Sequence, residues 1–365
     1  MKKKVMFVIP SLHGGGAEKV LLDIVSNLSP EKYHICIVLF EKKGILLEKV
    51  PYYVELIDLR KKNKYSVPAL IIRLAKTIRI SRPDNLISFM HYSNVISVLA
   101  VNLSGIKTNL ILTIHTHLSI SLLNTSFAKL RIYLSKKLFK HADHIVMPSN
   151  GIQKMLIKDF NLTDSKKHII PHPLLLDVIC QKANEPINDI FNYKYILMVG
   201  RLTEAKGIPV FLKSYKKICG RVKEKALILG TGEEEIHLKK LTKELGIEKR
   251  VVFAGFQNNP YKFMKNASIF VLSSLWESFA IVIAEAMACG VPIVSTDCPS
   301  GPGELIISGE NGLLVPPQDE QALASAMLKL INDKQLQHKF IQNGLKQAAT
   351  LRVEKIIPKY EKILE

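Results

Sequence analysis

Trp276-Glu277-Ser278-Phe279-Ala280-Ile281-Val282-Ile283-Ala284-Glu285-Ala286-Met287-Ala288-Cys289-Gly290-Val291-Pro292-Ile293-Val294 is the stretch whose reading decides the fold. Residues 267–272, just before it, form an apolar run of strand length, and 291–294 form another. A strand–loop–helix–strand unit brings its loop and helix N-terminus to the carboxyl edge of a parallel sheet, where ligands bind. The pattern predicts a helix beginning near Phe279, with Glu277 left in the loop and Glu285 one to two turns above the mouth. At 1.5 Å per helical residue the carboxylates span roughly 10 Å, about the reach from a ribose to the sugar of a nucleotide-sugar. A buried helix with one acidic flank fits the same residues, so the rest of the chain must decide.

Strands and helices alternate throughout. In the first half, apolar runs predict strands at 4–9, 33–40, 54–57, 85–89, 109–114 and 144–147. A second series follows at 195–200, 226–229, 250–253, 268–272, 291–295 and 312–315. This is the pattern of two α/β domains, each a doubly wound parallel sheet with helices on both faces. Pro171, Pro173 and Pro186 break the periodicity between them. We divide the chain into 1–178, 179–349 and a closing helix, 350–365, expected to pack back on the first domain.

The chain has 365 residues and a net charge of +19, of which residues 1–175 carry +15 and the remainder +4. A one-sided positive field points to a polyanionic partner held by the first half. The charge concentrates in 65–82 (Arg73, Lys76, Arg79, Arg82) and in 126–141, where Lys129, Arg131, Lys136, Lys137 and Lys140 interleave with Leu130, Tyr133, Leu134, Leu138 and Phe139. Both stretches have the period of helices with a basic face, suited to an anionic membrane surface or simply to solvent. No aromatic-rich strand, helix-turn-helix or zinc-knuckle signature accompanies them, so nucleic acid is not expected. Cys36, Cys180, Cys219, Cys289 and Cys298 lack metal-ligand spacing, several fall in apolar strands or helices, and they read as buried small hydrophobes in a reducing cytosol. Lys2-Lys3-Lys4 precedes only five apolar residues before Pro10, which reads as a first strand rather than a signal peptide. Asn94–Ile114 is the nearest approach to a membrane span, and Asn102, Ser104, Gly105, Lys107 and Asn109 interrupt it.

Each half opens with a phosphate-friendly turn. Ser11-Leu12-His13-Gly14-Gly15-Gly16-Ala17-Glu18 follows the first strand, and its glycines allow close backbone approach with amides directed at an anion. Lys19 stands where a dinucleotide fingerprint needs its last glycine, while Glu41 imitates the ribose-binding acid; a nicotinamide enzyme therefore stays open. In the second half, Gly200-Arg201-Leu202-Thr203-Glu204-Ala205-Lys206-Gly207 places a planar guanidinium and a point charge within reach of one diphosphate. The turns at Gly230 and at 252–256, which end with Phe256, line a base pocket or serve as plain connections.

Taken in order, the glycine turn, Gly-Arg-Leu-x4-Lys-Gly, Glu-x7-Glu and Asn311-Gly312-Leu313-Leu314-Val315 resemble the retaining family-four glycosyltransferases of the GT-B fold, over essentially the whole length. The resemblance implies two Rossmann-like domains facing a cleft. It implies donor binding by Gly15, Gly16, Arg201, Lys206, Gly230, Phe256, Glu277, Phe279, Ala280, Ile281 and Glu285. Arg201 and Lys206 would neutralise the departing diphosphate, Glu285 would hold the ribose, and Glu277 would contact the transferred sugar. His115 would touch the donor sugar or support the reaction centre. Glu277, His115, Arg201 and Lys206 form the expected catalytic set, with no metal or other cofactor; no Asp-x-Asp occurs in the chain. His117 lies two residues on, so a continuing strand would turn both rings to one side; no third metal ligand is evident. Relatives carry Asn-Gly-hydrophobe-Asp where this chain has Pro171-His172-Pro173-Leu174, so that loop receives no role.

Asp297-Cys298-Pro299-Ser300-Gly301-Pro302-Gly303-Glu304 resembles the matching loop of bacterial enzymes that extend lipid-linked or capsular sugars. The reading is a UDP-sugar donor, a polyprenyl-diphosphate-linked glycan acceptor, and a cytoplasmic enzyme at the inner face of the membrane. An NAD(P)-dependent oxidoreductase built on the glycine turn and Glu41, and a non-catalytic basic membrane adaptor, are the alternatives.

Overall fold

The computed structural model describes residues 2–63, 66–123, 127–162, 167–187 and 191–365. The chain forms two compact units, Met1–Pro173 with Val353–Glu365, and Leu174–Arg352.

The first unit contains β1 (Lys3–Ile9), β2 (Tyr33–Leu39), β3 (Glu55–Asp58), β4 (Asn85–Phe89), β5 (Asn109–Thr113), β6 (His144–Met147) and β7 (Lys167–Ile169). They pair in the order β3-β2-β1-β4-β5-β6-β7, every pair parallel. Val5 to Ile9 are completely buried, as a central parallel strand covered on both faces must be, which is why it reads as an unbroken apolar run. β7 escapes the sequence reading because three half-buried residues, Lys-His-Ile, carry no apolar pattern. Pairing of Val146 with His168 nonetheless places it at the sheet edge.

The second unit contains β8 (Tyr195–Val199), β9 (Lys225–Leu229), β10 (Val251–Phe253), β11 (Ile269–Leu272), β12 (Ile293–Thr296) and β13 (Leu313–Val315). Their order is β10-β9-β8-β11-β12-β13, again all parallel. The pleat divides the core. Leu197, Leu227, Phe270 and Ile293 face one apolar layer with Ile283 and Met287, whereas Ile196, Ile228, Val271 and Val294 face the other with Phe211 and Leu323. In each sheet the winding direction reverses beside the first strand, between β1 and β4 and between β8 and β11. Crevices at such reversals are where open α/β sheets bind ligands. Among the described residues no helix is long and apolar enough to cross a membrane.

The chain leaves the first unit after Pro173 and returns at Val353. Ile179 and Ala183 of the helix Leu176–Ala183 join the second unit's core, which draws residues 174–178 into that unit. The helix Val353–Leu364 docks on the first unit through Ile356, Ile357, Tyr360, Ile363 and Leu364, the spacing of one helical face. Its final carbonyls would be orphans in isolation. Lys3 Nζ and Asn85 Nδ2 both donate to Leu364 O at 3.1 Å, and Asn109 Nδ2 donates to Ile363 O at 3.1 Å. The starts of three central strands thus cap one helix end. Tyr360→Ala empties that interface, and we expect a loss of about 3 kcal/mol or more in the first unit. Urea melts followed with a probe in each unit would show it; a first-unit transition that does not move contradicts the docking role.

Candidate active site

At the β8–β11 reversal two loops are knitted together. Ser273 Oγ donates to Lys206 O at 2.9 Å and Gly207 O at 3.0 Å, and Leu275 N–H donates to Ala205 O at 2.8 Å. Gly207 is left-handed at φ +55°, and a Cβ there would lie 2.2 Å from Ser273 O. Only glycine allows this approach. Lys206 closes the short 3-10 turn Glu204–Lys206, and its Nζ lies 2.5 Å from Glu277 Oε1. Ser274 Oγ donates to the same oxygen at 2.7 Å. Both members of the ion pair are largely shielded from water. Cys298, nearby, has its thiol pushed up to about 12 by burial and then by the Glu277 charge, so it is no thiolate nucleophile.

Arg201 begins the same loop; its carbonyl accepts from Thr203 N–H at 2.9 Å, while its exposed side chain has no hydrogen-bond or ion-pair partner among the described residues. Its guanidinium is therefore open to an incoming anion. Gly230 has a structural use: at φ +133°, its absent Cβ would fall 1.9 Å from Gly200 O, so glycine lets the β9 turn pack beneath the Arg201 loop. Phe256 is exposed past β10.

The helix after β11 spans Ile281–Ala288, two residues later than the pattern predicts. Ala280 is left-handed at φ +58°, which bars it from the first helical turn. Phe279 is buried in the apolar layer, so its side chain packs rather than facing a ligand. Ala280 offers no side-chain cap, leaving the helix start to its amides and its dipole, a setting that favours an anion. Glu285 stands one turn inside, buried, and accepts from Tyr261 Oη at 2.9 Å.

In the first unit the glycine turn differs from its sequence reading. Glu18 Oε2 accepts from Gly14 N–H at 2.9 Å and from Gly15 N–H, reaching back from the first turn of the helix Gly16–Asn27 to the glycine amides before it. The chain supplies its own anion to these amides; at Gly16 there is open space. Glu41, the acid of the nicotinamide reading, pairs with Lys43 at 3.0 Å and Lys61 at 3.6 Å. Neither piece of a dinucleotide site is open.

β5 stops at Thr113, so strand alternation does not reach the histidines. His115 turns to Thr113 Oγ1 (2.7 Å) and His172 Nε2 (3.3 Å) and stacks on Phe89, 4.9 Å between centroids. His117 is held below the ordinary histidine value by burial, partly offset by the charge of Asp159 on the helix Asn150–Phe160. Burial holds His115 down to about 3 and His91, aided by the Arg131 charge, to about 4. His172 was missed from sequence; a polar residue between two prolines signals only a loop.

The basic helices also divide. In Val67–Ser81, Arg73 donates to the carbonyls of Leu59 and Arg60, and Arg79 to those of Leu103 and Ser104, so half of its expected cationic face ties loops and a helix end. Phe127, just before the helix Ala128–Leu138, and Leu130, Tyr133 and Leu134 within it are exposed beside Lys129, Arg131 and Lys137. Tyr65 and Ser126, which open the two basic stretches, lie outside the described residues.

Comparison with known proteins settles the family. The chain matches the model for glycosyltransferase family 4 over residues 14–177 and that for glycosyl transferases group 1 over residues 181–347. It is 30% identical, over 92% of both chains, to the N-acetylgalactosamine-N,N'-diacetylbacillosaminyl-diphospho-undecaprenol 4-alpha-N-acetylgalactosaminyltransferase of Campylobacter jejuni. This chain belongs to the family 4 glycosyltransferases. An uncharacterised glycosyltransferase of Methanocaldococcus jannaschii is 29% identical over 80% of this chain and 82% of its own. The crystal structure of Anabaena HepE with UDP and glucose superposes with a TM-score of 0.83 at 20% identity, covering 99% of each chain, a likeness of fold. The glycosyltransferase thus has two Rossmann-like units of the GT-B type, and neither an oxidoreductase nor a mere adaptor describes it.

Acid should weaken the first unit of this glycosyltransferase. His91 and His115 stay neutral in the fold down to about 4 and 3, whereas in the unfolded chain they protonate near 6.5. Through that window the unfolded state binds more protons, so their contribution is whole above the unfolded value and declines as pH falls. We expect a first-unit melting point on the order of 5 °C lower at pH 5 than at pH 7, with a shallower slope in His91→Phe. Equal slopes in the variant and the parent would refute the assignment.

Proposed function

We propose that this glycosyltransferase moves a sugar from a UDP-sugar, with anomeric retention, to a hydroxyl of a glycan carried on a polyprenyl diphosphate at the inner membrane face. The observation that carries the reading is the shielded Lys206–Glu277 pair at the reversal of the second sheet, with the exposed Arg201 opening the loop that carries Lys206. Arg201 grips the donor diphosphate as a fork and Lys206 as a point charge; both meet negative charge that grows as the nucleotide leaves. The Ala280–Ile281 helix start takes phosphate oxygens, Glu285 the ribose hydroxyls, and Glu277, oriented by Ser274, the transferred sugar. The anomeric carbon–oxygen bond breaks, the acceptor oxygen bonds on the same face, and the acceptor proton passes to the departing diphosphate. Charge neutralisation by Arg201 and Lys206 takes the place of a metal ion.

The relative from Campylobacter jejuni, by its name, acts on an undecaprenol-diphosphate-linked sugar, and HepE was crystallised with UDP; both favour these substrate classes here. The exposed apolar and cationic side chains of Ala128–Leu138 suit an anionic lipid surface.

Arg201→Ala should lower kcat by about a hundredfold or more while the fold survives. A thermal shift with UDP, absent with GDP, ADP or NAD, supports the donor assignment; a shift with GDP or ADP alone would replace it. The product anomer, read by NMR, decides retention. Binding to vesicles should rise with anionic lipid, fall with salt and weaken in Leu130→Ser/Tyr133→Ser; uptake insensitive to all three removes the membrane part.

A further inference from the structure

His172 lies between Pro171 and Pro173, just past β7, and is 6% exposed. The flanking prolines restrict its backbone, so the ring is presented in a narrow range of positions. Its Nε2 is 3.3 Å from His115 Nδ1, with the ring planes 34° apart. Which atom donates follows from the far side of His115. Thr113 Oγ1 gives its single proton to Ser88 O at 2.9 Å. Toward His115 Nε2, 2.7 Å away, that hydroxyl can therefore only accept. His115 Nε2 carries the proton, and a neutral ring then offers a lone pair at Nδ1. His172 Nε2–H must be the donor that meets it. The order runs from His172 to His115 to Thr113 to Ser88 O, with Phe89 stacked 15° from parallel on the central ring.

We propose that His172 is a positioning residue of the transfer site, fixing the tautomer and orientation of His115 by donating Nε2–H to its Nδ1. The inference rests on the reading above that puts His115 at the reaction centre. With both nitrogens engaged inside the unit, His115 is no proton shuttle. It acts as a strut that sets the backbone immediately beyond β5, and its peptide group and ring edge are what remain for the substrate. Small displacements there matter, since an error near 1 Å in a reacting group can cost about a hundredfold in rate.

Two measurements test this. In long-range 1H–15N spectra of the histidine-labelled full chain, His115 should carry its proton on Nε2, with Nδ1 shifted as a hydrogen-bond acceptor. His172→Leu should move that Nδ1 signal toward a lone pair without a donor. His172→Gln, whose amide N–H reaches a similar position, should restore it. In sugar transfer, His172→Leu should lose about ten- to a hundredfold in kcat, with the donor KM within about threefold. His172→Gln should recover most of the loss, and both variants should keep the parent's thermal shift with UDP. A proton found on His115 Nδ1, or His172→Leu turnover equal to the parent's, overturns the proposal. If the parent transfers no sugar at all, the transfer reading falls and the positioning role falls with it. The spectra would still report the hydrogen bond, so the two failures can be told apart.

Discussion

The close approach of Gly207 to Ser273 governs the second unit's site. One hydroxyl holds two successive carbonyls, of Lys206 and Gly207, and a methyl group at residue 207 would collide with the Ser273 carbonyl. Because the loops after β8 and β11 are pinned at this point, Lys206 meets Glu277 without either side chain having to search for the other. The ordering cost of two long side chains, which makes most exposed ion pairs nearly worthless, is largely met by the backbone. Gly230 repeats the device one strand away, its bare Cα tucked against Gly200 O.

In both units an internal carboxylate meets the groups that the sequence marks for an anion. Glu18 occupies the amides of the glycine turn, and Glu277 occupies Lys206. An anion arriving at either place competes with a carboxylate already seated, so part of its Coulombic gain goes to displacing it. Arg201 has no such internal rival among the described residues, which makes it the natural first contact for a phosphate.

The sheets were legible because parallel strands buried on both faces leave continuous apolar runs, and Val5–Ile9 or Ile269–Leu272 can hardly be read otherwise. Of the residues singled out, Lys206 and Glu277 do meet, from the loops that follow β8 and β11, while Arg201 opens the first of these loops and Glu285 lies on the helix after the second. What failed were features decided by contacts distant in sequence. β7 is a strand only because β6 lies beside it. The helix after β11 starts late because Ala280 takes a left-handed conformation that an alanine does not advertise. Arg73 and Arg79 look like a charged face in sequence and prove to be tethers to carbonyls elsewhere. His172 gains meaning only through a ring 57 residues away.

The return of the chain to its first unit has a consequence for biosynthesis. Residues 174–352 are inserted between two parts of one unit, and Leu174 N–H bonds to Leu351 O at 2.8 Å where the outgoing and returning segments meet. On a ribosome the seven strands of the first sheet emerge early, but the helix whose end is capped from β1, β4 and β5 emerges only after the whole second unit. The intervening unit can close on its own, and by closing it brings residues 173 and 353 together. Its folding replaces the search of a long open loop with a short one, lowering the entropic cost of the last docking step. Until then the nascent first unit carries an uncovered apolar face. A truncation late in the reading frame would leave that face bare on an otherwise completed protein.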